Sequence, residues 1–263
     1  MLTLRRAAGV LLLCLSLAGI ARAQDNKNMD TKPITILSYN IRHGTGMDGK
    51  LDLQRTADAI NRQAPDLVGL QEVDLNAKRS GLVDEATTLG SLTGMKPFFG
   101  KAIPFQGGEY GIAILARDPD ATMHSHIPLP GAEPRTLLAI QTKTKEGKPF
   151  VFVNTHFDLQ QQHQIESAKI IAGWMEKLDG LPAILVGDFN CTPNSETFLE
   201  LTKSWKYVTK GKPLPTFPAP KPSREIDHAF IAPAHSWELE DIQVVQEPLA
   251  SDHRPLKIEI HLK

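Results

Sequence analysis

Eight short runs of β-branched and aliphatic residues constrain this chain most: 34–39, 67–70, 112–115, 137–141, 150–154, 183–186, 228–231 and 256–262. Each is bounded by polar residues or by Gly and Pro, so each reads as a strand. Strands must pair, and the core of the chain is therefore sheet. Two stretches have helical spacing instead: Leu53, Ala57 and Ile60, and the longer stripe Ile165, Ala168, Ala172, Met175 and Leu178. Asp52 is placed to cap the first helix. Ser195, ahead of Glu196, Phe198 and Leu199, is placed to cap another. Strands and helices interleave without a strict βαβ rhythm, and several strands follow one another across short turns, which predicts mixed sheets. The stretch 210–222 carries five prolines and is expected to be irregular, either a plain surface loop or one that faces a substrate.

The first residues read as an export signal. Arg5 and Arg6 precede an apolar run at 10–20, and Ala21-Arg22-Ala23 follows, so a signal peptide is expected at 1–23 and a single domain at 24–263. The run is too short to span a bilayer, and Leu13 before Cys14 disfavours lipid attachment. Processing would remove three of the 29 basic residues and none of the 30 acidic ones, leaving a net charge near −4 that does not favour a polyanionic partner such as DNA. Cys191 would then be the sole cysteine, unable to form an intramolecular disulfide, and it reads as a small buried residue.

Hydrolysis of a phosphoester needs a cation for the phosphoryl oxygens, a positioned water and donors for the developing charge. Side chains suited to that work gather at the strand ends. Asn40 closes the first strand and Gln71-Glu72 the second. Asn154-Thr155-His156 ends the fifth, and the sixth runs into Gly187-Asp188-Phe189-Asn190. Asp227 opens the penultimate strand, and Ser251-Asp252-His253-Arg254 precedes the last. Singly, each would be an ordinary cap or turn. Six in order are not explained that way.

In this order the segments Ser38-Tyr39-Asn40-Ile41-Arg42, Gln71-Glu72-Val73, Asn154-Thr155-His156, Gly187-Asp188-Phe189-Asn190, Ile226-Asp227-His228 and Ser251-Asp252-His253-Arg254-Pro255 resemble the signatures of the endonuclease/exonuclease/phosphatase superfamily. The resemblance implies a four-layer α/β/β/α sandwich, two mixed sheets face to face with helices outside. It implies Glu72 as the principal ligand of Mg²⁺ or Mn²⁺, with Asn40 and Asp252 on the metal side. Asp188 would orient or deprotonate the attacking water, and Asn190 would hold that water or a phosphoryl oxygen. His253 would act on the scissile phosphate with Asp227 fixing its tautomer, and His156 would touch a phosphate oxygen or the leaving group. Which histidine is acid and which is base, and whether one ion acts or two, stays open.

Arg135 reads equally as a phosphate ligand or as a partner of Glu133, and Tyr110 as a leaving-group contact or a core aromatic. His43, His124, His126, His163, His235 and His261 read as surface or structural. The expected function is an exported, metal-dependent phosphoesterase for a small or lipid-linked phosphoester. A secreted nuclease is the alternative if Arg42, Lys101, Arg135, Lys210, Lys212 and Arg224 line one groove. A binding module that kept the fold without catalysis is the third reading, disfavoured by the full set of Glu72, Asp188, Asn190, Asp227 and His253.

Overall fold

Residues 32–263 are described by the structure, a computed structural model; the expected signal peptide at 1–23, with Cys14, lies outside the described residues. Twelve strands and four α-helices follow one another: β1 (Ile34–Asn40), α1 (Leu53–Asn61), β2 (Leu67–Leu75), α2 (Glu85–Thr93), β3 (Lys96–Phe105), β4 (Gly108–Ala116), β5 (Thr122–Leu129), β6 (Arg135–Lys143), β7 (Pro149–His156), α3 (Gln161–Met175), β8 (Ala183–Asp188), α4 (Glu196–Leu201), β9 (Lys206–Tyr207), β10 (Asp227–Ala232), β11 (Trp237–Val244) and β12 (Leu256–Leu262). They build two mixed six-stranded sheets, ordered β11-β12-β1-β2-β4-β3 and β5-β6-β7-β8-β10-β9.

Three apolar clusters define the layers. One, with Ile36, Ile114, Phe152, Val186 and Ile258, fills the space between the sheets. A second packs Ala57, Ile60 and Leu89 of α1 and α2 on the outer face of the first sheet. A third packs Ala168, Ile171 and Phe198 of α3 and α4 on the outer face of the other. This is the expected α/β/β/α sandwich. Alternating side chains of each central strand serve both a helix layer and the inter-sheet core, which is why these strands read as continuous apolar runs.

The eight expected strands are all present. The four missed, β3, β5, β9 and β11, are the four sheet edges. Edge strands carry charge and proline to discourage further pairing, and Pro97, Pro104 and Pro128 sit in β3 and β5. Helix α2 was also missed; its Thr- and Gly-containing sequence has little apolar periodicity. The caps form as expected, with Asp52 accepting from the Arg55 N–H at 3.0 Å and Ser195 from Phe198 at 3.2 Å.

One polar residue crosses the apolar middle. Asn154 of β7, fully buried, donates to the Leu70 and Ala113 carbonyls of the opposite sheet at 2.8 and 2.9 Å and accepts from Gln71 Nε2 at 2.7 Å. Gly69 makes room for it, since a Cβ there would lie 2.9 Å from Asn154 Oδ1. Truncation would strand the Gln71 amide and open a cavity. Asn154→Ala is therefore expected to cost about 3 kcal/mol, measured as a lower midpoint in urea unfolding.

Candidate active site

Sheet register gathers the site. In the second sheet His156, Asp188 and Asp227 are level neighbours: parallel pairing sets His156 beside Asp188, and antiparallel pairing sets Asp227 on its other side. In the first sheet Asn40 lies level with Gln71, and the segment before β12 arrives at the same end. Glu72 occupies a β-bulge, the extra residue between Gln71 and Val73 in the β2–β4 ladder. Its φ of 58° is left-handed. For a side chain with a Cβ that conformation costs about 1–3 kcal/mol, and bulges of this kind re-aim a side chain.

Hydrogen bonds then join the two sheets. Arg42 N–H donates to Asn40 Oδ1 at 3.1 Å, which turns the Asn40 amide nitrogen toward Glu72 Oε1 at 3.0 Å and Asp188 Oδ2 at 3.1 Å. Asn40 thus offers donors to two carboxylates here, with its oxygen turned to the backbone. Ser251 Oγ donates to the Asn40 carbonyl at 2.7 Å and accepts from His253 N–H at 3.3 Å, tying the last signature to the first.

His253 Nδ1 lies 2.8 Å from Asp227 Oδ2, and its Nε2 lies 3.6 Å from Asp188 Oδ2. Burial opposes a charge on His253, but the carboxylates of Asp227 and Asp188 outweigh it and lift the imidazole to about 10. Burial and the neighbouring Asp227 push the Asp188 carboxyl up. His156 moves the other way. Enclosed and facing Arg135 and His253, it is held well below the usual imidazole range. Its Nε2 sits 3.2 Å from Asn190 Nδ2, which also donates to the Phe157 carbonyl at 3.0 Å. Two histidines of one site are driven apart in basicity, the arrangement that separates a proton donor from an acceptor.

The irregular 210–222 segment backs this pair. Thr216 Oγ1 donates to Asp227 Oδ2, and the Phe217 ring lies 4.9 Å from the His253 ring. The loop thus supports the Asp227–His253 pair, a role that neither a plain surface loop nor a substrate-facing one describes. Asp252 is less enclosed and faces Arg42 Nε at 3.8 Å. Arg135, on the first residue of β6, pairs with Glu133 at 2.7 Å and reaches Tyr110 Oη at 3.4 Å. Tyr110 is buried, its phenol pushed up by desolvation and by Glu72.

The residues present fit a hard divalent cation. Ligand atoms of Asp188, Asp227 and His253 all lie within 4.8 Å of one another. Among the described residues Asp227 Oδ1 is buried with no partner, and burial followed by the charge of Asp252 pushes the Glu72 carboxyl up despite its bond from Asn40. Oxygen donors short of positive charge are what Mg²⁺ and Mn²⁺ take.

Fold and site together define the class, an α/β sandwich with acids, amides and histidines from both sheets meeting at one end. Residues 37–253 match the Endonuclease/Exonuclease/phosphatase family, and the chain belongs to it. Members of that family are phosphoester hydrolases. The chain is 25% identical over 242 residues to the uncharacterized protein YbhP of Escherichia coli K12, covering 86% of this chain and 96% of that one. A family structure from Bacteroides vulgatus shares the fold at TM-score 0.73 and 22% identity, covering 89% of this chain and all of its own. A mannosyl-6-phosphatase of Bacteroides thetaiotaomicron does so at TM-score 0.70 and 20% identity, covering 87% of this chain and all of its own.

Proposed function

We propose that this protein is an exported, divalent-metal-dependent phosphoesterase that hydrolyses a small-molecule or lipid-linked phosphodiester or phosphomonoester by metal-assisted attack of water. The observation that carries this reading is the contact between sheets: Asn40 touches both Glu72 and Asp188, while His253 touches Asp227 and faces Asp188. Acid, amide and imidazole groups from both sheets thereby meet at one point.

Glu72, with Asp252 nearby and Asn40 orienting its carboxylate, is the group that would hold Mg²⁺ or Mn²⁺, joined through Asn40 to Asp188 of the cluster with Asp227 and His253. Such an ion supplies charge neutralisation and a more acidic water. His253 is cationic, with Nδ1–H committed to Asp227, so its Nε2–H is free to donate to a phosphoryl oxygen. Asp188, raised toward neutrality, is suited to take a proton from the attacking water. Neutral His156 and Asn190, which lie against each other, would meet the remaining oxygens or the leaving group.

A small substrate is supported by the fate of the basic residues. Arg42, Lys101, Arg135 and Lys210 are each paired with an acid, Asp252, Glu109, Glu133 and Asp241 respectively. Lys210 and Lys212 line a groove of about 450 Å³ with Arg254, walled by the 210–222 loop and β11 and including none of the residues placed at the site. These pairings weigh against a basic track for a nucleic-acid backbone. The sugar phosphatase among the structural neighbours agrees with a compact phosphoester. Export to the periplasm or the medium rests on the sequence of residues 1–23, and no protein partner is proposed.

The test is a parallel assay of phosphomonoesters, phosphodiesters, phospholipid and DNA, with EDTA and after addition of Mg²⁺ or Mn²⁺. Hydrolysis of a small or lipid ester that EDTA abolishes and metal restores is expected. Failure on every substrate with metal present would overturn the reading, and hydrolysis confined to DNA would replace it with the nuclease.

A further inference from the structure

We propose that Glu133, held on Arg135 at the mouth of the site, is a specificity-determining residue that reads hydroxyl groups on the alcohol portion of the substrate, so that the preferred substrates are polyol phosphates. The inference rests on the phosphoesterase reading above. Its starting point is an incomplete guanidinium. Arg135 is 8% exposed, its terminal nitrogen is 2.7 Å from Glu133 Oε1, and its buried Nε has no partner among the described residues. A buried guanidinium donor without an acceptor is costly. The guanidinium fork has five donors, so in this proposal the arginine meets a phosphoryl oxygen with a donor that Glu133 leaves over.

Glu133 is placed there by a built turn. A Cβ on Gly131 would lie 2.1 Å from the Glu133 carbonyl oxygen, so the turn closes only with glycine. The Ala132 N–H is tethered to Asp158 Oδ2 at 3.1 Å, and the same oxygen is held by His163 Nδ1 at 2.6 Å. Asp158 is 3% exposed, so the tether is rigid, whereas the Glu133 side chain keeps 43% of its surface open. One carboxylate oxygen is thus spent on Arg135, and the other remains an acceptor on a side chain open to solvent. A carboxylate fixed in this way accepts from hydroxyls and repels a second phosphate. Polyol esters satisfy it; aryl esters leave it idle, and a polyanionic chain meets its charge.

The experiment compares wild type with Glu133→Ala and Glu133→Gln on glycerol 1-phosphate and glycerophosphoglycerol, set against p-nitrophenyl phosphate and bis(p-nitrophenyl) phosphate. In wild type, the hydroxyl-bearing ester is expected to outperform the reactivity its poorer leaving group allows. Glu133→Ala is expected to lower kcat/KM on it at least tenfold, with less than a twofold change on the aryl ester of the same type. Glu133→Gln, which keeps an acceptor, is expected to restore part of the loss. An equal fall on both ester types would make Glu133 a mere support for Arg135 and overturn the proposal, as would no fall on either. Wild type inactive on all four esters, and on the broader panel, would instead sink the phosphoesterase reading on which it stands.

Discussion

Replacing Glu72 with Gln is expected to cut turnover on the order of a thousandfold, because in the proposed reading its carboxylate would hold the ion, worth several kcal/mol of transition-state stabilisation, and yet to raise the melting temperature of the metal-free protein. The two effects share one cause. Burial, with the charge of Asp252 adding to it, pushes the Glu72 carboxyl above its usual range. The folded protein therefore holds that proton more tightly than the unfolded chain does, so the group's contribution to stability is present at acid pH and is lost as pH rises above about 4.5. Gln keeps the acceptor for Asn40 Nδ2 and sheds the charge. The gain in melting temperature should thus be largest at neutral and alkaline pH and vanish near pH 4. Melts with and without Mn²⁺ check the other half, since the shift that the ion gives wild type should shrink in the variant. Full turnover in Glu72→Gln would remove this residue from the site.

Substitution of His253 separates chemistry from folding. His253→Asn retains a donor near the Nδ1 position for Asp227 but has nothing at Nε2, so kcat should fall roughly a thousandfold with the fold preserved. His253→Ala removes both atoms. It leaves the buried Asp227 with Thr216 as its remaining side-chain partner, and it empties the space under Phe217. That variant should lose activity to the same extent and about 3 kcal/mol of stability besides, the typical cost of breaking a buried pair by removing one member. Steady-state kinetics and urea unfolding on both variants read the two effects. Equal stability of Asn and Ala variants would mean that Asp227 does not depend on the imidazole.

What could be read from the chain before folding divides by location. The central strands were legible because they are apolar on both faces, and their ends were legible because the functional groups sit in short contiguous runs such as Gly187-Asp188-Phe189-Asn190. Sheet edges were not, since β3, β5 and β11 trade apolar residues for Lys, His, Glu and Pro where one side meets water. Side-chain roles set by tertiary contact were hidden as well. Nothing in the spacing of Thr216 and Asp227 foretells that one holds the other, and the bulge that turns Glu72 inward is a property of the β2–β4 register. At Arg135 the structure shows the pair with Glu133, one of the two roles the sequence left open, and the role toward phosphate belongs to the proposal.

The most direct measurement is a crystal structure of the protein soaked with Mn²⁺ and inorganic phosphate, read by anomalous scattering. Manganese is expected in the space bounded by Glu72, Asp188, Asp227 and His253, with a phosphate oxygen within hydrogen-bond reach of His253 Nε2. Manganese bound elsewhere while these side chains stay in contact with one another alone would contradict a metal-dependent phosphoesterase site at this junction of the two sheets.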